Sequence, residues 1–137
     1  MIVGLGIDII EIDRIAEVYV RHRERFAQRI LTDAERVYVL RHADPRQRLA
    51  GRWAAKEAAL KALGTGLADG IGWKDAEILN DESGKPALHF HGKALVRARE
   101  LGAVKYHVSI THSETVAMAQ VILESGVAND ERQVTSV

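Results

Sequence analysis

Two charged side chains near the middle of the chain, Glu57 and Lys61, lie four residues apart in a run of strong helix formers, RWAAKEAALKALGTG at residues 52–66. Residues with this spacing share one face of an α-helix, so we expect the carboxylate and the ammonium to be neighbours. The glycine turn that follows, Gly64-Thr65-Gly66, offers backbone N–H groups and a hydroxyl. Because a carboxylate suits a hard cation and an ammonium beside a glycine loop suits phosphate, the segment predicts a site for phosphate and magnesium.

Asp8 is the second residue with chemical potential. It stands in an alternating, β-branched apolar segment, residues 2–10, which predicts a strand. An ionised carboxylate in such a strand is costly unless it is paired or binds a metal. Gly4 and Gly6 lie on the same strand face, and glycine in a strand can mark the close approach of a ligand or another backbone. A local salt bridge explains Asp8 alone, but together with Glu57 it favours metal binding.

Composition limits the classes of function. The chain has 137 residues, which fits one domain, and its 19 basic and 19 acidic residues give zero formal charge. A neutral chain argues against general nucleic-acid binding, and the absence of cysteine excludes disulfides and thiol nucleophiles. No apolar run is long enough to span a membrane, and the N-terminus lacks a basic signal-peptide region. We therefore expect a soluble cytoplasmic protein without a nucleic-acid or membrane partner.

The neutral total hides an excess of arginine. Residues 14–52 contain ten arginines, five acids and no lysine, which leaves a local charge of +5. Such a bias indicates a basic face for an acidic partner, although arginine-rich helices that are simply solvated are also common.

The order of predicted elements indicates an α+β protein, because helices and strands mix without regular β-α-β alternation. A capping box at Thr32 and Glu35 starts one helix, Asp44-Pro45 starts the long central helix, and Gly64 ends it. We expect one domain over residues 1–125 and a polar, frayed tail over 126–137. The predicted strands are 2–10, 73–80, 87–91, 106–111 and 116–123, and the predicted helices are 13–25, 33–42, 45–63 and 93–101.

Several of these segments occur together in the order and spacing of a known family. The chain closely resembles the holo-acyl-carrier-protein synthases, the small 4′-phosphopantetheinyl transferases, over residues 2–124. The matching segments are GLGIDIIEI at 4–12, RILT at 29–32 with Glu35, residues 52–66, GKP at 84–86 and HVSITHS at 107–113.

The resemblance implies a fold, a reaction and a set of site residues. The fold is a small antiparallel sheet packed with a long central helix and shorter helices. Such enzymes move the 4′-phosphopantetheine arm of coenzyme A to a serine of apo acyl carrier protein in fatty-acid biosynthesis. They release adenosine 3′,5′-bisphosphate, need Mg²⁺, and are usually homotrimers with sites between protomers. By resemblance, Asp8 and Glu57 hold Mg²⁺, Lys61 meets the phosphates, Gly64, Thr65 and Gly66 line the nucleotide site, and Lys85, Pro86 and His112 lie near coenzyme A.

Two roles follow from the residues and the resemblance together. Glu57, directly or through water, is our hypothesis for the general base; His112 competes, because an unperturbed histidine titrates near neutral pH. Acyl carrier proteins are acidic around the modified serine. The seven- and four-residue spacings of Arg14, Arg21 and Arg25 predict one basic helix face for that carrier.

Two alternatives stay open at this point. A Mg²⁺-dependent nucleotide pyrophosphohydrolase would use water instead of serine as the nucleophile. A non-catalytic module would bind an acidic partner through its arginines. Arg52 and Lys56 are weaker candidates for phosphate binding, and Trp53 and Trp73 are expected in the core.

Overall fold

The computed structural model describes residues 1–126, which form an α+β domain as the sequence predicts. A three-stranded antiparallel sheet has the order β1-β5-β4, and β2 and β3 form a separate antiparallel hairpin. The elements are β1 (Ile2–Glu11), α1 (Ile12–Ile30), α2 (Asp33–Leu40), α3 (Arg46–Leu63), a 3-10 turn (Trp73–Asp75), β2 (Ala76–Asn80), β3 (Pro86–Phe90), α4 (Gly92–Glu100), β4 (Ala103–His112) and β5 (Val116–Ser125).

The long helix α3 is the centre of the fold. The sheet covers one side of it, and α1, α4 and β2 pack against other sides. Alanines such as Ala54, Ala55 and Ala59 are fully buried in its middle. Their small side chains let the surrounding backbones come close, and a helix that is apolar on most sides is one that the fold encloses. The helix backbone that carries Glu57 and Lys61 is therefore enclosed by the fold.

The closest approach to α3 is made by β1. A Cβ atom built on Gly6 would collide with the carbonyl oxygen of Ala58, and one built on Gly4 with that of Ala62. Ala58 and Ala62 are one helical turn apart, so two successive inward positions of the strand rest on two successive turns of the helix. The contact that the two strand glycines predicted is thus with another backbone, that of α3.

Helix α1 differs from the prediction in length and in shape. It continues to Ile30 instead of ending near residue 25, and Arg23 interrupts its helical geometry with φ 33° and ψ −110°. A positive φ is uncommon outside glycine, so the sequence carries no signal for this break. Because the break rotates the segment that follows, the regular spacing does not carry Arg25 onto the face of Arg14 and Arg21. The prediction of one continuous arginine face is wrong in this respect.

Most other boundaries agree within a few residues. The capping box is confirmed, since Thr32 N–H donates to Glu35 Oε1 at 2.9 Å and Glu35 N–H to Thr32 Oγ1 at 3.3 Å. At the start of α3 the N-cap is Pro45 rather than Asp44. Residues 73–75 form a 3-10 turn instead of strand, because Gly72 N–H donates to the Asp75 carboxylate at 2.9 Å and closes a turn there.

Two further expectations concern the ends and the environment of the chain. The predicted tail, 126–137, lies outside the described residues apart from Gly126. Within residues 1–126, none of the helices combines the length and the hydropathy that a membrane crossing requires.

Replacement of Gly6 by alanine tests the contact between β1 and α3. The added methyl group has no space against the Ala58 carbonyl, so we expect the free energy of unfolding in urea to fall by about 3 kcal/mol. Gly72→Ala is the matched control, since no atom lies within 4 Å of the position that its methyl group would take and its φ is −114°. Equal stability of Gly6→Ala and Gly72→Ala would contradict the close approach.

Candidate functional site

Asp8, Glu57 and Lys61 lie together in one surface groove, as the sequence predicted. The Lys61 ammonium donates to Asp8 Oδ1 at 3.0 Å and to the carbonyl oxygen of Ile7 at 3.0 Å. Asp8 reaches this position because it continues the inward-facing row of Gly4 and Gly6 on β1. The groove has a volume of about 430 Å³, and its lining residues are Asp8, Ile9, Ile10, Arg14, Ile15, Val18, Phe26, Trp53, Glu57 and Lys61.

The groove raises the pKa of the Glu57 carboxyl group. Burial raises the pKa of the Glu57 carboxyl group, and the negative charge of Asp8 raises it further, while Lys61 opposes both effects. The ammonium of Lys61 hydrogen-bonds Asp8 and has no such bond to Glu57, so it compensates the first carboxylate more directly. Glu57 is therefore a carboxylate that benefits from an additional positive charge or from a proton.

The donor set fits Mg²⁺ better than a metal held by protein side chains alone. Within the described part of the chain, no group of three or more His, Cys, Asp or Glu residues could hold a metal ion. The groove offers two carboxylates, those of Asp8 and Glu57. Mg²⁺ is commonly held by one or two carboxylates, while water and substrate phosphates complete its coordination shell. Burial and the charge of Asp8 both raise the pKa of the Glu57 carboxyl group, which is consistent with a carboxylate that a cation would stabilise.

An aromatic wall borders the groove on the side of α1. The rings of Phe26 and Trp53 stack with their centroids 5.8 Å apart, and Trp73 lies behind with its centroid 4.5 Å from that of Trp53. Both tryptophans pack against the cluster of buried residues under α1, as expected for core residues. Trp53 nevertheless also lines the groove, so it belongs to the core and to the site.

The glycine loop begins at the end of α3. Gly64 ends the helix in the left-handed conformation with φ 76°, and Gly66 has φ 59°. Arg97 on α4 donates to the carbonyl oxygen of Leu63 at 3.0 Å, which fixes the helix end. Gly64 lies seven residues beyond Glu57, or about 10 Å along the helix axis. Thr65 is partly exposed in this loop.

His112 and Pro86 do not share the groove of the carboxylates. They line a second groove of about 270 Å³, where His112 ends β4 and Pro86 starts β3. Lys85 is exposed in the preceding turn, where its backbone N–H donates to the Asp81 carboxylate at 3.0 Å. Asp8, Glu57 and Lys61 thus lie in one groove and Pro86 and His112 in another, and the loop of residues 64–66 lines neither. The complete lining of the second groove is Tyr38, Gln47, Arg48, Gly51, Arg52, Asn80, Gly84, Pro86, Ile110 and His112.

The second groove is basic, which sequence reasoning recognised only in part. Arg52 is 4% exposed, and its guanidinium carbon lies 4.7 Å from the centroid of the Tyr38 ring. It also hydrogen-bonds the Asn80 side chain, but its Nε has no hydrogen-bond partner among the described residues. Arg48 adds a second guanidinium to the lining. The sequence signals for this groove were the density of arginine around residue 50, the candidate Arg52, and the resemblance that put Pro86 and His112 near coenzyme A.

The three arginines predicted to bind the carrier face three different depressions. Arg14 lines the groove of the carboxylates, and Arg21 lies beside Asp13 and Glu17 on the outer side of α1. Arg25 lines an aromatic groove of about 460 Å³ next to Trp53 and Trp73. All three arginines are exposed. The basic surface is therefore broader than one helix face.

Lys56 is not available to a phosphate group. Its side chain is fully buried, and its Nζ donates to Glu35 Oε1 at 2.7 Å. It points away from the groove that contains its neighbour Glu57 and Lys61, since it is absent from the lining of that groove. The weaker candidate role for Lys56 is therefore wrong.

Comparison with known proteins identifies relatives of the whole domain. Residues 4–119 match the model of the 4′-phosphopantetheinyl transferase superfamily. The holo-[acyl-carrier-protein] synthase of Solidesulfovibrio magneticus is 54% identical over 124 residues, which cover 90% of this chain and 99% of that protein. The enzyme of the same name from Koribacter versatilis is 48% identical over 124 residues, with the same coverage of both chains.

Solved structures agree with these relatives. A crystal structure of the Bacillus anthracis holo-(acyl-carrier-protein) synthase in complex with CoA (3′,5′-ADP) has a TM-score of 0.77 and 41% identity. The match covers 92% of this chain and 99% of the Bacillus anthracis chain. The Neisseria meningitidis holo-[acyl-carrier-protein] synthase has a TM-score of 0.81 and 35% identity, with 91% and 100% coverage.

Replacement of Glu57 by glutamine tests the electrostatics of the groove. Because the folded-state pKa of Glu57 is raised, the protonated carboxyl group stabilises the fold below the pKa of an unfolded glutamate, and this contribution disappears as the pH rises through the folded-state pKa. Without metal ions, Glu57→Gln should therefore have a higher Tm than the wild type at pH 8, with a difference that vanishes at low pH. Glu82→Gln, at an exposed turn, is the control. A Tm difference for Glu57→Gln that does not depend on pH would contradict the raised pKa.

Proposed function

The chain belongs to the 4′-phosphopantetheinyl transferase superfamily, among its holo-acyl-carrier-protein synthases, and from this we propose that it transfers the 4′-phosphopantetheine group of coenzyme A to a serine of apo acyl carrier protein. The second product is adenosine 3′,5′-bisphosphate, and the reaction serves fatty-acid biosynthesis in the cytoplasm. The observation that carries the proposal is the meeting of Asp8, Glu57 and Lys61 in one groove.

The residues of the groove suit a transfer between a pyrophosphate and a hydroxyl. A bond forms between the serine oxygen and the β-phosphorus, and the bond from that phosphorus to the bridging oxygen breaks. Positioning and charge stabilisation dominate such phosphoryl transfers. Lys61 is placed to bind the phosphates and to stabilise the negative charge on the departing nucleotide. Asp8 keeps Lys61 oriented through the 3.0 Å hydrogen bond.

Magnesium is the metal that this proposal includes. Asp8 and Glu57 would hold it in the groove through their carboxylates. When bound, Mg²⁺ supplies Lewis-acid polarisation of the phosphoryl oxygens and charge neutralisation.

Glu57 is the better candidate for the general base. The serine hydroxyl must lose a proton as it attacks, and a carboxylate whose pKa is raised above its ordinary value by burial accepts that proton more effectively. His112 lies in the other groove of the same chain. It could act on the same substrate only from a neighbouring copy of the protein, whereas Glu57 lies beside Lys61 within one chain.

A homotrimer would combine the two grooves and also cover an open sheet face. Leu5, Ile7 and Ile9 point away from α3 and are 60%, 55% and 55% exposed. Met118 on β5 pairs with Ile9, which extends the apolar face to the next strand. We place neighbouring copies on this face, so that the arginines and His112 of one copy bind the nucleotide end of coenzyme A beside Glu57 of another. A single-chain mass in light scattering would contradict this arrangement.

The intact mass of an apo acyl carrier protein tests the proposed transfer. After incubation with the protein, coenzyme A and Mg²⁺, we expect a gain of about 340 Da, the mass of one covalently added phosphopantetheine. The gain should be lost with EDTA and with Glu57→Gln. Cleaved coenzyme A without a mass gain would instead indicate a pyrophosphohydrolase. If several carriers gain no mass and coenzyme A stays intact, the protein would instead be a binding module. Both of these results would contradict the proposal.

Charge reversal on α1 tests carrier binding. Arg21 is exposed and lies outside the groove of Asp8 and Glu57, so Arg21→Glu should repel an acidic carrier without disturbing the phosphate site. We expect a rise of about tenfold in the KM for carrier protein, which corresponds to about 1.4 kcal/mol, with the KM for coenzyme A unchanged. Arg14→Glu should raise the carrier KM too. Arg99→Glu on α4 is the matched exposed control, and an equal effect at Arg99 and Arg21 would contradict docking on α1.

A further inference from the structure

A fully buried ion pair, Lys56–Glu35, lies behind the candidate site and takes no part in the proposed reaction. Both side chains are completely inaccessible, and Lys56 Nζ donates to Glu35 Oε1 at 2.7 Å. Burial of two charges is expensive, and a well-packed apolar pair is often at least as stable. The pair therefore calls for an explanation beyond general stability, and its remaining hydrogen bonds supply one.

Those hydrogen bonds all go to the backbone of neighbouring segments. Lys56 Nζ also donates to the carbonyl oxygens of Trp73 at 3.1 Å and Ala76 at 2.7 Å, which uses all three of its donors. Glu35 Oε2 accepts from Ile78 N–H at 3.0 Å, and Glu35 Oε1 accepts from the N–H of Thr32. The pair thus fixes the turn that carries Trp73, the start of β2 and the N-terminus of α2 to one point on α3.

The turn that the pair fixes supports the aromatic wall of the carboxylate groove. The Trp73 ring lies 4.5 Å from the Trp53 ring, and Trp53 stacks on Phe26 at 5.8 Å. Trp53 and Phe26 line the groove together with Glu57. A continuous set of contacts therefore leads from the Lys56 ammonium, through the Trp73 backbone and ring, to the surface that faces the substrate.

We propose that Lys56 and Glu35 are positioning residues for coenzyme A: they hold Trp73, and through it Trp53, so that the aromatic wall keeps the groove in its binding shape. This inference rests on the proposed function for the identity of the ligand. The groove that contains Lys61 is also lined by Trp53 and Phe26, and the position of these rings depends on hydrogen bonds made inside the core. Loss of those bonds loosens the wall while the reacting groups Asp8, Glu57 and Lys61 stay in place.

Two substitutions test the positioning role at different points of this set of contacts. Lys56→Met removes the three donors, and Trp73→Ala removes the ring but keeps the carbonyl group that Lys56 binds. We expect each to weaken coenzyme A binding in titration calorimetry by about tenfold, since small misplacements around a site have large effects. The KM for coenzyme A should rise in parallel, with kcat at saturation near the wild-type value and an altered tryptophan fluorescence spectrum. Lys74→Met, at an exposed lysine in the same turn, is the control.

The outcomes separate the inference from the proposed function. Wild-type transfer with unchanged coenzyme A affinity in Trp73→Ala contradicts the positioning role, even if Lys56→Met does not fold. A lower Tm in Lys56→Met without a change in affinity or KM also contradicts it, because that is the result for a purely structural pair. Failure of the wild type itself to transfer the group contradicts the proposed function instead.

Discussion

The contact between the backbones of β1 and α3 determines where the proposed catalytic side chains lie. Gly4 and Gly6 have no Cβ atoms, so the strand rests directly on the carbonyl groups of Ala58 and Ala62. The next inward position on the strand is Asp8, and Glu57 and Lys61 directly precede Ala58 and Ala62 on the helix. If side chains at positions 4 and 6 pushed β1 away from α3, the Asp8 carboxylate would move away from the Lys61 ammonium. These two groups are now 3.0 Å apart. The site therefore depends on two residues that have no functional group.

This close approach also brings a second carboxylate, that of Asp8, into the partly buried groove of Glu57. The partly buried groove is lined by two carboxylates, by the Lys61 ammonium and by the Arg14 guanidinium, and Lys61 hydrogen-bonds only the carboxylate of Asp8. Burial raises the pKa of Glu57 and the negative charge of Asp8 adds to this effect, and a group in that state attracts a cation or a proton. The same property supports the proposed Mg²⁺ site, since a bound cation would offset the cost of the partly buried charge. A bound cation would also lower the pKa of Glu57 again, so the raised pKa describes the groove without metal.

Local signals in the sequence predicted the elements better than the distances between them. The glycine pair before Asp8, the capping box at Thr32 and the stop at Gly64 each describe a neighbourhood of a few residues, and the structure confirms all three. The capping residue Glu35 has a further partner, Lys56, which lies 21 residues later in the chain. Helix periodicity cannot reveal such a tertiary pair, because it describes one element at a time.

The same limit explains the remaining differences. Arg23 adopts a positive φ that no arginine pattern predicts, so the face expected for Arg25 was wrong. His112 follows the correct sequence spacing but belongs to another groove, because spacing along the chain does not specify which side of the domain a strand end reaches. The roles given to the site residues, to Lys85 and Pro86 and to the arginines of α1 remain predictions that experiments on this chain must test.

The affinity of the protein for Mg²⁺ tests the central claim most directly. Titration calorimetry of Mg²⁺ into the complex with coenzyme A should show one binding site per chain in the wild type. Asp8→Asn and Glu57→Gln should each abolish that binding, while Glu82→Gln, at an exposed turn, should leave it intact. Wild-type Mg²⁺ affinity in Asp8→Asn or in Glu57→Gln would show that the contact between β1 and α3 does not build a metal site.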